Sequence, residues 1–183
     1  MKRNTFLKLC LAVGAFVSSP LISVAKRREK NRVNKGFKVG SGKDRFDKSI
    51  TLHQGGDTFF CKVSTKDTGG DMYVFESIRL KKSDFWLHFH YEQDEWWYVM
   101  EGEFLIKVGE EIFQAKPGDS VFGPRRVPHA FAQTNEGPAK LLMIFQPAGK
   151  MEEFFKASSE GVLSKLSKEE KYNFYKAHGF ERI

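Results

Sequence analysis

From Ile50 to Phe145 the chain is cut into short runs of aromatic and β-branched residues, each bounded by a turn signal. Residues 58–63 and 72–80 read as strands, set off by Gly55-Gly56-Asp57 and Thr68-Gly69-Gly70-Asp71. Residues 103–108 and 111–115 flank a tight turn at Gly109-Glu110, and Lys116-Pro117-Gly118-Asp119 makes another. Residues 120–122, 129–132 and 139–145, with the stretch 85–102, bring the total to about nine or ten short strands. Short strands with turns at this frequency restrict the fold to an antiparallel sandwich or barrel, an all-β architecture over residues 49–147.

After Pro147 the periodicity changes. Residues 150–156 and 167–177 have helical spacing, Ser167-Lys168-Glu169-Glu170 is a capping box, and Gly179 stops the second helix. Residues 148–183 therefore form a short C-terminal helical appendage. Its aromatic residues Phe154, Phe155, Tyr172, Phe174 and Tyr175 are expected to pack on the outer wall of the barrel, because an amphipathic helix needs an apolar face to dock.

The beginning of the chain reads differently. Lys2, Arg3 and Lys8 precede an apolar stretch over residues 9–17, and Ser23-Val24-Ala25 supplies small residues at a cleavage position. Residues 1–25 are read as a secretory signal peptide, too short to remain as an anchor, which predicts a periplasmic or secreted protein with no stable membrane anchor in the mature chain. Removing them takes Cys10 away and leaves Cys61 alone, so no internal disulfide is expected.

The net charge of +7 is unevenly spread. Residues 1–25 hold three bases and no acids, and residues 26–48 hold ten bases and three acids. The remaining 17 bases and 20 acids make a slightly acidic body. Residues 26–48 are accordingly read as a basic, solvated N-terminal tail. With no basic face apparent in the body, nothing argues for nucleic acid as a partner, and the partner expected is a small-molecule substrate.

The chemistry concentrates in residues 85–102. His88 and His90 are two apart, so in a strand both rings point to one face. Glu95 follows a short turn and opens a second strand, so paired strands would let the three side chains converge. Two imidazoles and a carboxylate with positions left open suit a non-haem divalent metal. His129 lies downstream, after Pro124-Arg125-Arg126-Val127-Pro128.

The pattern His88-x-His90-x4-Glu95-x6-Gly102 resembles the first motif of the cupin superfamily, and Gly118-x5-Pro124-x4-His129 resembles the second. Fifteen residues, 103–117, separate them, similar to the compact spacing of small single-domain cupins. Three positions depart from the pattern: Lys82, Arg126 and Gln133 stand where glycine, glycine and asparagine are common. The resemblance implies a single antiparallel jelly-roll β-barrel. It also implies that His88, His90, Glu95 and His129 ligate one divalent transition metal ion, namely Fe, Mn, Ni, Cu, Co or Zn. A homodimer is what small cupins in general suggest. The opposing reading is a metal-free barrel whose histidines are hydrogen-bonded core residues.

Strand parity suggests the surroundings of the site. Trp86 shares a face with His88 and His90, Trp97 with Glu95, and Phe131 with His129, so all three are candidate substrate-binding residues in an apolar cavity. His53 and His178 lie outside the motifs and are read as structural or solvated, and Cys61 as a buried inert thiol. The resemblance, with an aromatic cavity, points to a quercetinase-like dioxygenase acting on a small phenolic or enediol compound, with Glu95 taking the substrate's proton as catalytic base. The alternatives are a non-catalytic metal- or ligand-binding protein and a sugar isomerase or epimerase, which would want polar and basic residues inside.

Overall fold

The computed structural model describes residues 32–52 and 56–183. The expected signal peptide, most of the basic run and His53 lie outside the described residues. The chain is all-β with a helical appendage: two antiparallel sheets stack as a jelly roll. One holds β1 (Ile50–Thr51), β2 (Thr58–Val63), β3 (Tyr73–Arg79), β10 (Ala139–Gln146), β5 (Asp94–Glu101) and β8 (Ser120–Gly123), side by side in that order. The other holds β11 (Phe180–Arg182), β4 (His88–His90), β9 (His129–Gln133), β6 (Phe104–Val108) and β7 (Glu111–Ala115).

Alternation along the strands explains the stacking. In β10 the buried positions Ala139, Leu141, Met143 and Phe145 face the opposite sheet, and in β5 Glu95, Trp97 and Val99 do the same. Phe104 and Ile106 answer them from β6. Between the sheets the apolar side chains form one buried core. The buried polar residues His88, His90, Glu95 and His129 interrupt it at one end.

Two details of the appendage differ from expectation. Helices α1 (Met151–Ser159) and α2 (Lys168–Ala177) form, and the Ser167 box caps α2 from both directions. Phe155, however, points between the sheets: its ring lies 5.0 Å from Phe59 and 4.9 Å from Phe75. Phe154 packs edge-on against Phe180 at 4.8 Å. Helix α1 thus plugs the open end of the sandwich instead of lying outside it, because a jelly roll with unclosed sheets leaves apolar surface at its mouth. After α2 the chain returns as β11, with Phe180 opposite His90 and Arg182 opposite His88.

The stretch before β1 is also not wholly solvated. Asp44 is buried and accepts hydrogen bonds from the backbone of Phe46, Lys48 and Cys61. Arg45 reaches Asp67 with two bonds of 3.1 Å. A single buried carboxylate with three donors fixes this segment against β2. Cys61 lies beneath it, and burial first, then the neighbouring carboxylates, push its thiol up to about 12, so it is inert.

Candidate metal centre

The four ligand candidates meet at the mouth of the sandwich. His88 and His90 come from β4 and His129 from β9, where His88 and His129 are direct cross-strand partners. Glu95 comes from β5, in the other sheet, between Phe145 of β10 and Gly123 of β8. The expected pairing of the His88–His90 strand with the Glu95 strand does not occur. The three residues between them carry the chain from one sheet to the other. Gln93, buried in that crossing, is wedged against Gly149 and Gly179, so there is no room for a hairpin. Convergence happens across the sandwich.

All four residues are buried, none more than 5 % exposed, and their ligand atoms lie within 4.8 Å of one another. Glu95 Oε2 is 3.1 Å from His90 Nε2, 3.2 Å from His129 Nε2 and 3.6 Å from His88 Nε2. The other ring nitrogens decide what these distances mean. His88 Nδ1 donates to the Trp86 carbonyl at 2.8 Å, and His129 Nδ1 donates to the Val127 carbonyl at 2.9 Å. A neutral imidazole has one N–H, so both rings then present a bare Nε2 lone pair to the carboxylate. Lone pairs facing a carboxylate in a buried site repel unless a cation lies between them. His129 Nε2 indeed has no hydrogen-bond partner. This donor set fits a divalent transition metal, with the backbone carbonyls orienting the rings.

Titration is consistent with that charge pattern. Burial, only partly offset by Glu95, pushes His90 down to about 4, which keeps it neutral at pH 7. Burial would raise the Glu95 carboxyl, but the imidazoles of His129, His88 and His90 packed against it outweigh that and hold the group well below the carboxylate range. The site sets a neutral His90 imidazole against the Glu95 anion.

The group opens into a cavity of about 560 Å³, on which His88 and Glu95 abut. Trp86 and Phe131 line it, as do Phe59, Phe145, Phe154, Phe155 and Phe180. Trp97 does not. Its ring is fully buried 5.3 Å from the His129 ring, and a Cβ on Gly123 would stand 2.7 Å from the indole. Parity gave its direction correctly, but the ring fills the core behind His129 and supports that ligand without touching the cavity.

Parity reasoning also missed lining residues. Arg79 follows Tyr73, Phe75 and Ser77 on the inward face of β3, so its alternation was available as a signal. Phe180 had no such signal, because β11 forms only by pairing with β4. The departures from the motif are accommodated locally. Arg126 adopts φ 65°, the left-handed conformation for which glycine is common, and its backbone N–H and Nε donate to the carbonyls of His90 and Tyr91. Gln133 closes the loop after β9 by donating to the carbonyls of Asn135 and Gly137. Lys82 pairs on the surface with Glu136. His178 is held by the Phe174 carbonyl at the end of α2, away from the four ligands.

Comparison with known proteins agrees with the geometry. The family model described as Cupin domain matches residues 70–145. An uncharacterized protein of Methanocaldococcus jannaschii is 34% identical over 61 residues, which is 33% of this chain and 49% of that protein. The chain therefore spans about half the length of the curated relative it matches. Among solved structures, an RmlC-like cupin from Shewanella frigidimarina superposes with a TM-score of 0.52 at 23% identity, over 66% of this chain and 96% of that one. KdgF from Halomonas sp. gives 0.49 at 19% identity, over 56% and 91%.

Proposed function

We propose that this chain, a small single-barrel member of the cupin superfamily, is a metal-dependent enzyme, a dioxygenase acting on a small phenolic or enediol compound. One observation carries the reading: two histidine lone pairs and a third neutral imidazole aim at one carboxylate, at the edge of an aromatic cavity.

A divalent ion held by His88, His90, Glu95 and His129 would supply Lewis acidity toward a substrate hydroxyl and, for a redox metal, electron transfer with dioxygen. The remaining work falls to the chain itself. Trp86, Phe131, Phe145 and Phe180 would sandwich a flat ring and exclude water from it. Glu95, the one carboxylate of the four, faces the cavity and can take a proton from a bound hydroxyl. Trp97 holds the His129 ring in place from behind.

The test is metal analysis of purified protein followed by oxygen-uptake assays on flavonols, catechols and enediols. Iron, nickel, copper or manganese with oxygen consumption supports the reading. Zinc with no oxygen consumption on any of these compounds sinks it. That outcome would favour the isomerase reading, to which Arg79, Lys81, Lys82, Asp57 and Asp84 lend support as charged groups on the cavity wall. Export rests on the sequence signal alone; protein from the native host should lack residues 1–25 by intact mass, and an uncleaved chain would refute it.

A further inference from the structure

One side chain of the cavity is not accounted for by metal binding or by apolar packing. Arg79, at the end of β3, puts its guanidinium into the wall with the side chain only 11% exposed. The cation stacks over the Phe131 ring, 4.5 Å from its centroid. One Nη donates to Asp57 at 3.0 Å. Its Nε–H is buried and meets no acceptor among the described residues. A guanidinium offers its donors as a rigid planar fork, and a buried fork left partly unpaired is costly unless something docks there. Burial pulls its pKa down, with Asp57 and then Glu95 opposing, and an arginine remains charged throughout the physiological range.

Charge and distance agree on what that partner is. Apart from His88, the ionisable side chains on the cavity wall are three bases and three acids, so they cancel. A divalent ion at the histidines would leave the cavity with an excess of positive charge, which an anion satisfies. Phe131, on which Arg79 stacks, is two residues along β9 from His129. At ~3.3 Å per residue the two backbone positions stand roughly 7 Å apart on one face of the strand, so the guanidinium and the ligand group are neighbours in one cavity wall, on the scale of a single aromatic ring. We propose that Arg79 is a specificity-determining residue that binds a carboxylate of the substrate, so that the preferred substrates are planar hydroxy acids carrying the carboxylate across the ring from the metal-binding oxygen.

This inference rests on the reading of the four ligands as a metal centre, and the experiment separates the two. Protein loaded with cobalt(II) is titrated with 3,4-dihydroxybenzoate and with 4-methylcatechol, following the visible spectrum of the metal. The two probes share the metal-binding oxygens and differ in the carboxylate. The expected result is at least ~10-fold tighter binding of 3,4-dihydroxybenzoate, the scale of one charge-assisted hydrogen-bond pair. Arg79→Met should abolish that preference by weakening 3,4-dihydroxybenzoate far more than 4-methylcatechol, and Arg79→Lys should keep part of it. If both probes perturb the spectrum with equal affinity, or Arg79→Met keeps the full preference, the Arg79 assignment falls and the metal centre stands. If neither probe perturbs the spectrum, both fall. The wild-type comparison needs no variant, so a variant that fails to fold does not spare the proposal.

Discussion

His88 and Glu95 belong to different sheets, yet His88 Nε2 and Glu95 Oε2 are 3.6 Å apart. The histidines of the second sheet lean on a single carboxylate of the first. A cation at this point would tie the two sheets together, so its removal should be felt by the whole fold.

Metal removal should accordingly lower the melting temperature. A ligand present at a hundredfold excess over its Kd contributes about 2.7 kcal/mol, roughly 5–10 °C for a chain of this size. Calorimetry before and after chelation measures this directly. His90→Ala and His129→Ala should lose metal by elemental analysis and show no further drop on chelation. Full occupancy in both variants would mean that other residues hold the ion.

Glu95→Gln should separate holding from chemistry. Three imidazoles can retain a divalent ion without a carboxylate, so most of the metal should stay. Turnover should fall by ~10²–10⁴, the usual contribution of a positioned general base. A variant that turns over at the wild-type rate would reduce Glu95 to a structural anion.

The metal-free protein should be acid-sensitive from an unusually high pH. His90 sits at about 4 when folded, against an ordinary value near 6.5 when unfolded. Between those values the unfolded chain binds the extra proton, so stability is present above ~6.5 and is lost as the pH falls toward 4. Glu95, held low when folded, removes further stability below its ordinary value in the same direction. The loss from His90 is on the order of 3 kcal/mol. Melting curves in chelator from pH 7.5 to 4.5 should show the slope, and His90→Asn should flatten it. A flat wild-type profile would mean that His90 is not neutral and buried.

The two motif glycines should differ in what they tolerate. Both have positive φ, 81° at Gly102 and 97° at Gly118. A Cβ on Gly102 would meet the Ala139 Cβ at 2.5 Å and its Cα at 3.1 Å, whereas one on Gly118 would meet nothing within 4 Å. Gly118→Ala should cost only the backbone strain, ~1 kcal/mol, and Gly102→Ala should cost about 1–3 kcal/mol more from overpacking. Denaturant melts of the two variants give the comparison, and equal losses would contradict the contact at Ala139.

Much of the site could be read from spacing because the chemistry depends on period and order. His88 and His90 share a face in any strand, and Glu95 and His129 follow at motif distance. Which sheet each strand joins could not be read the same way. Three residues after His90 suit a hairpin as well as a crossing, and the choice depends on Gln93 filling the gap beside Gly149 and Gly179. Trp97 obeyed parity yet stayed out of the cavity, because its ring lies over the bare backbone of Gly123 on the neighbouring strand. Phe154 and Phe155 have the spacing of an ordinary docking face, and only the open mouth of the barrel draws them inside.

Among the described residues, strand β4 pairs with β9 and β11, some forty and ninety residues further along the chain. Such long loops must close before the histidines have a sheet to stand in, and closure of distant contacts is the slow part of folding. A metal would therefore be acquired late: a growing or half-folded chain carries its histidines on an unpaired strand. The strand that carries His88 and His90 is paired on both sides only when residues 180–182 have settled against it.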